Sequence, residues 1–532
     1  SGGAGTVNVN GGSFAAHNLF VGGNSAASGT LNLNGGTLSL ANPDGLYVDA
    51  NGTLNLNSGG SLPAANLSLV NGGQLNFNGG TGNAVLNIFA GVGGTVDLNG
   101  QTLGAESWAN LCATTAGAVL KNSSATAAYI AATNTIWIWD GATNLTIDAS
   151  GGNIQIDSRI TSSGQPNPTG IIKTGTNSLI LTYAGNDYTG TTAINEGRLI
   201  LADGSALGST SGGTIVASGA QLSLNGITVG AELLTISGTG AWNSAGALRA
   251  RTGSSTWQGK VTLAADAMIF SGSGTSLTLD VASGSALDLS GFTLTLDGAG
   301  THYVNDGITG AGAIVKTGSG ITTFAGSNSY SGSTTVSNGT LVVSNASLSA
   351  TILSNSVAVA FASAPSAGTY TVLPGALAAN SLGSKSVTGL GSGQTGTVTN
   401  APNLVVQVSA ANGYATWLNG QSTNSTNQLA YAIGGATSPT ATNGVPSVTT
   451  VTSNTLSITA IVRTNDPNLA VYGQSILTLA AGTWTTNDVT NSVPVDQTGA
   501  TAGTTQKQTF TTPYGTNNAK KFLRLQTTLS NQ

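Results

Sequence analysis

Gly29-Thr30-Leu31-Asn32-Leu33-Asn34-Gly35-Gly36 is one of five near-copies of a single phrase. The others read GTVNVNGG from Gly5, GTLNLNSGG from Gly52, GQLNFNGG from Gly73 and GTVDLNG from Gly94, so the starts lie 24, 23, 21 and 21 residues apart. A short strand that returns at a period of roughly 20–24 residues marks a stacked coil. Side chains alternate along a strand, so Leu31 and Leu33 share one face and Thr30 and Asn32 the other. The inward slots recur as Val7/Val9, Leu54/Leu56, Leu75/Phe77 and Val96/Leu98. Stacked, they predict a continuous apolar core. Asn8, Asn32, Asn55, Asn76 and Asp97 would form one outward column, and Asn10, Asn34, Asn57, Asn78 and Asn99 a second at the corner. Stacked amides can hydrogen-bond to one another and to turn backbone.

Between the copies lie further short apolar pieces: Leu19–Val21, Leu38–Leu40, Leu46–Val48, Leu67–Val70 and Val85–Phe89. Each period therefore holds two or three strands. The spacing predicts a parallel β-helix, a β-solenoid. No window carries ten or more residues with helical apolar spacing, which argues against a βαβ fold. A β-sandwich would not repeat its wording at a fixed period.

Glycine is 77 of 532 residues and charged residues only 6%, where an ordinary domain has about a quarter. Neutral polar side chains carry the polarity instead, which suits turns and ladders. With net charge −5, 14 basic residues and no basic patch in the sequence, nucleic acid is a poor partner. No run of 18 apolar residues reads as a membrane-spanning helix. The single cysteine, Cys112, excludes an internal disulfide framework and reads as a buried core residue. The opening SGGAGT, without an initiator Met, reads as a processed mature chain.

From 105 to 170 the strand-and-turn style continues, with Ile136-Trp137-Ile138-Trp139 as a strand whose rings read as core and stacking ladder. A longer repeat follows. Lys173-Thr174-Gly175 matches Lys316-Thr317-Gly318 at an offset of 143. Tyr188, Gly190, Ile194, Gly197 and Leu199 match Tyr330, Gly332, Val336, Gly339 and Leu341 at an offset of 142. Tyr188 and Tyr330 are expected to fill a rung corner, Gly190, Gly197, Gly332 and Gly339 to be structural, and Lys173 and Lys316 to be solvated stems. The shared phrase, KTGxGxLxLxGxNxYxGxTxVxxGxLxL, resembles the autotransporter-associated β-strand repeat of bacterial passenger regions. Trp257–Val261 carries a weaker echo of it. The resemblance implies a right-handed β-helix, secreted, with surface or adhesive roles and no catalysis.

Three regions are expected: a parallel β-helix over 1–345, an irregular β-rich end or cap over 346–412, and a C-terminal antiparallel β-sandwich over 413–532. Short helical turns are expected at Tyr414–Asn419 and Asn427–Ile433. Strands follow at Thr455–Ile461, Ala470–Tyr472, Ser475–Leu479, Gln506–Thr511 and Lys521–Leu525. Asn424–Gly435, the Thr483-Trp484 turn and Lys521–Leu525 resemble a C-terminal module of secreted proteins from Verrucomicrobia-like bacteria. In that module an acidic calcium loop often precedes the first phrase. Here Gln421–Asn427 has no carboxylate, so calcium is not carried over.

Chemistry-bearing residues are sparse. His17 and His302 stand 285 residues apart, and no His or Cys pair has metal-ligand spacing. Asp280, Asp288, Asp297 and Asp306 form the densest carboxylate group, yet spacings of 8, 9 and 9 scatter them over the coil. They read as turn-capping or solvated residues. No enzyme activity, cofactor or metal is expected. The expected function is a secreted structural subunit that assembles head-to-tail with copies of itself into an extracellular fibre or surface layer. Val7, Val9, Phe14, Leu19, Phe20 and Val21 are its candidate assembly surface, because an open β-helix end invites another strand. A non-polymerising adhesin with a polysaccharide-binding face is the second expectation, and a polysaccharide lyase or hydrolase the third.

Overall fold

The computed structural model describes residues 3–23, 28–62, 66–80, 87–103, 110–114, 117–139, 144–243, 245–344, 348–352, 356–373, 383–391, 394–400, 402–409, 448–451, 455–463, 469–476, 490–492, 505–513 and 522–529. Every regular element among them is a strand. Two compact units are present, the first built mainly from residues 1–360 and the second mainly from 406–532.

The first unit is a parallel β-solenoid of about 13 turns. Its first face runs from Ala4–Val9 through Ser28–Leu33, Gly52–Asn57, Gln74–Asn78 and Thr95–Asp97 and on to Gly307–Thr309. A second face passes through Thr102–Leu103, Ser178–Leu181, Arg198–Leu201, Gln221–Asn225 and Leu248–Thr252 to Thr334–Val336. The third holds a seven-stranded stack from Leu19–Val21 to Arg159–Thr161, then a later stack from Thr228–Val229 to Thr340–Ser344. The strand Val261–Ser271 rounds the corner between the first two faces, pairing with Leu234–Gly238 at one end and Leu248–Thr252 at the other.

The alternation of the repeats places one apolar column inside. Val7, Leu31, Leu54, Leu75, Val96, Leu120 and Ile147 stack in register, and all but Val7 are buried. Burying each Leu or Ile is worth about 1.5–3 kcal/mol. Outside, the two asparagine columns bond rung to rung. Asn32 Nδ2 donates to Asn8 Oδ1, Asn55 to Asn32 and Asn76 to Asn55, each at 2.7 Å. The corner column runs Asn34 to Asn10, Asn57 to Asn34, Asn78 to Asn57 and Asn99 to Asn78, at 2.6–2.8 Å. Asp97 ends the first ladder differently. It accepts from the Asn99 and Ser123 amides at 3.0 and 3.1 Å and faces Lys121 at 3.6 Å. The parallel stack closes on its third face, where Thr340–Ser344 pairs antiparallel with Leu348–Ile352.

In the second unit Val448–Val451, Thr455–Arg463, Thr505–Pro513 and Thr490–Ser492 form a four-stranded antiparallel sheet. Leu469–Ile476 pairs antiparallel with Phe522–Leu529. Where the sequence suggests two strands, 470–472 and 475–479, the described residues hold one, Leu469–Ile476, and 477–479 lie outside them. Gly473 does not break it, because it stays in the ladder opposite Leu525. The expected helical turns, the resembling phrase at 424–435, the acid-free loop and the Thr483-Trp484 turn lie outside the described residues.

Candidate functional site

The long repeat gathers buried polar side chains in the solenoid. Lys173 sits in the inward column of the first face, between Ile147 and Ile194, and is 0% exposed. Lys316 holds the matching inward slot of the second face, between Leu296 and Val336, and is also buried. The expectation of solvated stems is therefore corrected. The apolar stem fills a core slot, and its length carries the ammonium to the corner that follows the strand, among backbone carbonyls. Lys173 Nζ donates to the carbonyls of Thr174 and Gly175 at 2.7 Å and of Glu196 at 3.1 Å. Three N–H groups meet three acceptors. Burial lowers its pKa to about 8 against the opposing pull of Asp148 and Glu196. Lys316 Nζ donates to the Gly318 carbonyl at 2.6 Å.

The motif glycines keep this corner open. Gly197 and Gly339 lie at φ +62° and +70°, in the left-handed region. A Cβ on Gly197 would stand 2.5 Å from the Gly175 oxygen, and one on Gly339 would stand 2.7 Å from Lys316 Nζ. At Gly190 and Gly332 the constraint is close approach, since a Cβ would come within 2.5 Å of the backbone carbons of Thr169 and Gly312.

Tyr188 and Tyr330 are fully buried. Each hydroxyl bonds the Thr four residues on: Thr192 at 2.7 Å and Thr334 at 2.6 Å. Burial raises the Tyr330 phenol to about 12, with Thr334 opposing, and raises Tyr188 further. The sequence reading missed the two Asn that pin these segments, although both stand in the repeat two residues before the Tyr. Asn186 Oδ1 accepts from the Ile160 amide at 2.8 Å while its Nδ2 donates to the Ala206 carbonyl at 2.8 Å. Asn328 Oδ1 accepts from the Ile308 amide at 3.1 Å. Asp187, two residues past a turn, pairs with Arg159.

The two copies occupy different faces of the coil. The first lays its strands on faces one and two, with the Tyr188 segment bonded to Ile160 on face three. The second uses faces two and three, with Tyr330 bonded to Ile308 on face one. The motif is thus a local cassette whose bonds reach no further than the adjacent rungs, whichever way it points.

The carboxylates do not converge. Asp288 lies on the first face and Asp297 on the second, while Asp280 and Asp306 follow strands of the third. Lys260 donates to Asp288 at 2.8 Å and holds its carboxyl below the usual range. Asp306 accepts from the Val281 amide at 2.7 Å, and Asp297 from Thr317 Oγ1 at 3.0 Å. A cleft of about 450 Å³ lined by Ser285, Asp306, Thr309 and Ser327 holds one carboxylate, already bound by that amide. Among the described residues no three His, Cys, Asp or Glu side chains gather as metal ligands. Cys112 is buried between Phe89 and Trp137 in register, and burial pushes its thiol up to about 12.

At the first rung, Val7 is 47% and Phe20 63% exposed; Phe14 and Leu19 are half-buried, and Val9 and Val21 are buried. One rung on, the slots of Val7, Phe14 and Leu19 hold Leu31, Leu38 and Leu46, all buried. Elsewhere the fold corrects the reading that there is no basic patch. Arg198 lies beside Gln221 on the second face, Arg249 beside Ser223 two residues on, and Arg251 follows Arg249 on its strand.

Residues 171–201 and 314–343 match the model of the Passenger-associated-transport-repeat family, PATR. These two segments, and the parallel coil that carries them, are similar to a passenger-type β-helix of the autotransporter kind. Such repeats are structural and fit a secreted surface protein. No curated protein matches the chain, and no solved structure does.

Proposed function

We propose that the chain is a structural subunit of an extracellular fibre or surface layer, joined head-to-tail through its coil ends. One observation supports this reading: the rung that holds Ala4–Val9 exposes apolar side chains at slots which the next rung buries. Its inward side chains Val7, Phe14 and Leu19 form an apolar floor, while their counterparts one rung later are sealed. The asparagine ladders donate from Nδ2 back to the rung before, as Asn32 does to Asn8, Asn34 to Asn10 and Asn42 to Asn18, so a preceding rung of the same kind would extend them. A strand edge, an apolar floor and aligned amide donors together favour another coil of the same kind. A surface with few charges offers little repulsion to such stacking.

Electron microscopy of the native material tests this, with Val7→Asp as the variant. Truncation is a blunter tool, since removing residues 1–28 would bare Leu31, Leu38 and Leu46 as an equivalent floor. Filaments that disperse in Val7→Asp support the joint. Single rods in both samples, or cross-links showing that the covering rung comes from the same polypeptide, overturn it.

An adhesin reading draws on the outward rings of the third face. Phe20 and Tyr47 stack at 4.9 Å with planes 7° apart, and Phe89 meets Trp139 edge-on at 5.8 Å. Binding of monomers to a polysaccharide column would favour it.

A further inference from the structure

Six arginines occur in the sequence, and three of them meet on the second face of the coil. Arg198 is in register with Gln221; two residues on, Ser223 is in register with Arg249, and Arg249 in turn with Phe270. Arg251 follows on the same strand. Among the described residues no carboxylate pairs with any of the three. Their partners are neutral. Arg198 Nε donates to Gln221 Oε1 at 2.6 Å, and Arg251 Nη1 to Asn225 Oδ1 at 3.2 Å. Arg249 Nε is buried and has no acceptor. Burial first, and then the charges of Arg249 and Arg251, lower Arg198 to about 10; burial and then Arg251 lower Arg249.

Aromatic rings flank the cluster. The Arg198 guanidinium lies 4.0 Å from the Trp242 ring centroid, and that of Arg249 lies 5.4 Å from Phe270. Trp242 is 45% exposed and sits at φ +47°, followed by Asn243 at +59°. A bulky side chain in the left-handed region is held there against its preference, a feature that collects at binding sites. Three unneutralised cations beside an exposed ring suit a ligand that brings both an anion and a flat apolar face.

We propose that Arg198, Arg249, Arg251 and Trp242 form a binding site for an acidic polysaccharide, a carboxylate- or sulfate-bearing sugar. Its anionic group bridges the guanidiniums, and its ring lies against the exposed part of Trp242. Nucleic acid fits less well, because the chain has net charge −5 and only 14 basic residues in 532. The site is independent of the joint at the first rung.

The test titrates the full chain with a size-defined oligogalacturonate, a heparin-derived oligosaccharide, a neutral cello-oligosaccharide, oligo-dT and inorganic sulfate, following binding by calorimetry. The acidic sugars are expected to bind, more weakly as salt is raised. Arg251→Gln is expected to weaken them at least tenfold. The same variant without ligand is expected to melt at or above the wild-type temperature, since it removes repulsion from an exposed side chain. Trp242→Ala is expected to weaken sugar binding and spare sulfate. Equal binding of the neutral sugar, tighter binding of oligo-dT, sulfate as tight as the sugars, or an Arg251→Gln protein that binds normally or melts lower would each overturn the proposal.

Discussion

A lysine is tolerated in an aliphatic column only when its N–H groups find acceptors, and Lys173 finds three. Lys173→Met keeps the stem and removes the donors. It is expected to lower stability by about 1–3 kcal/mol, read as a lower thermal midpoint, because buried carbonyls lose their partner. Tyr188 and Thr192 form a closed pair of the same sort. Thr192→Val alone leaves a buried phenol unpaired and is expected to cost about 1–3 kcal/mol, while adding Tyr188→Phe recovers most of it. A double-mutant cycle that sums without coupling would show that the hydroxyls do not depend on each other. Glu232 gives the pH prediction. It is buried, Oε1 accepts from Thr214 at 2.9 Å, Oε2 has no partner, and burial raises its pKa to about 7. The folded state holds a proton that the unfolded chain releases near 4.5, so this group's contribution is fully present below 4.5 and is lost as pH rises through 7. His302 acts in the opposite sense. Burial and Lys316 lower it to about 4, so it penalises folding as pH falls from 6.5. The difference between wild type and Glu232→Gln isolates the acid: the wild type is expected to lose on the order of 3 kcal/mol relative to the variant between pH 5 and 8. Parallel profiles for the two would refute the assignment.

At the scale of the element, the ladders follow from strands that repeat their wording in register. Asn55 donates to Asn32 and accepts from Asn76, both at 2.7 Å. Asn55→Ala breaks two bonds in a half-buried column and is expected to cost about 1–2 kcal/mol, whereas the same change at Asn8, which ends the column, breaks one and is expected to cost about half as much. Thermal melts of the two variants decide it. These columns were legible in the sequence because Asn8, Asn32, Asn55 and Asn76 hold one slot of one phrase. The buried lysines were not legible. Alternation assigns a slot, yet a lysine in an inward slot looks like an exception until the corner carbonyls that receive it are in place. The Asn186 and Asn328 anchors were present in the repeat wording, but their partners Ile160 and Ile308 belong to preceding rungs with no motif of their own.

For the molecule as a whole, each rung contacts chiefly its neighbours, so stability is shared along the stack and least at an uncovered rung. Amide exchange is expected to be fastest in Ala4–Val9 and Leu19–Val21 and slowest in central strands such as Gly170–Thr174 and Arg198–Leu201. Uniform protection across these strands would mean that the first rung is covered in solution. The bonds that hold each PATR copy reach no further than the adjacent rungs, so the pattern survives rotation from one pair of faces to the next.

The sequence by itself determined the parallel coil, its apolar column and its amide ladders, because a strand's alternation and a near-constant period are local properties that stacking merely repeats. It also determined that catalytic and metal-binding groups are thinly spread. Only the tertiary structure decided which rungs share a face. That assignment depends on how many residues each turn and corner consume, 20 in one rung and 27 in another, from Thr214 to Leu234 and from Leu234 to Val261. Through it, Lys173 meets the Glu196 carbonyl, the two repeats point in different directions, and Arg198 comes to lie beside Arg249 across 51 residues of chain.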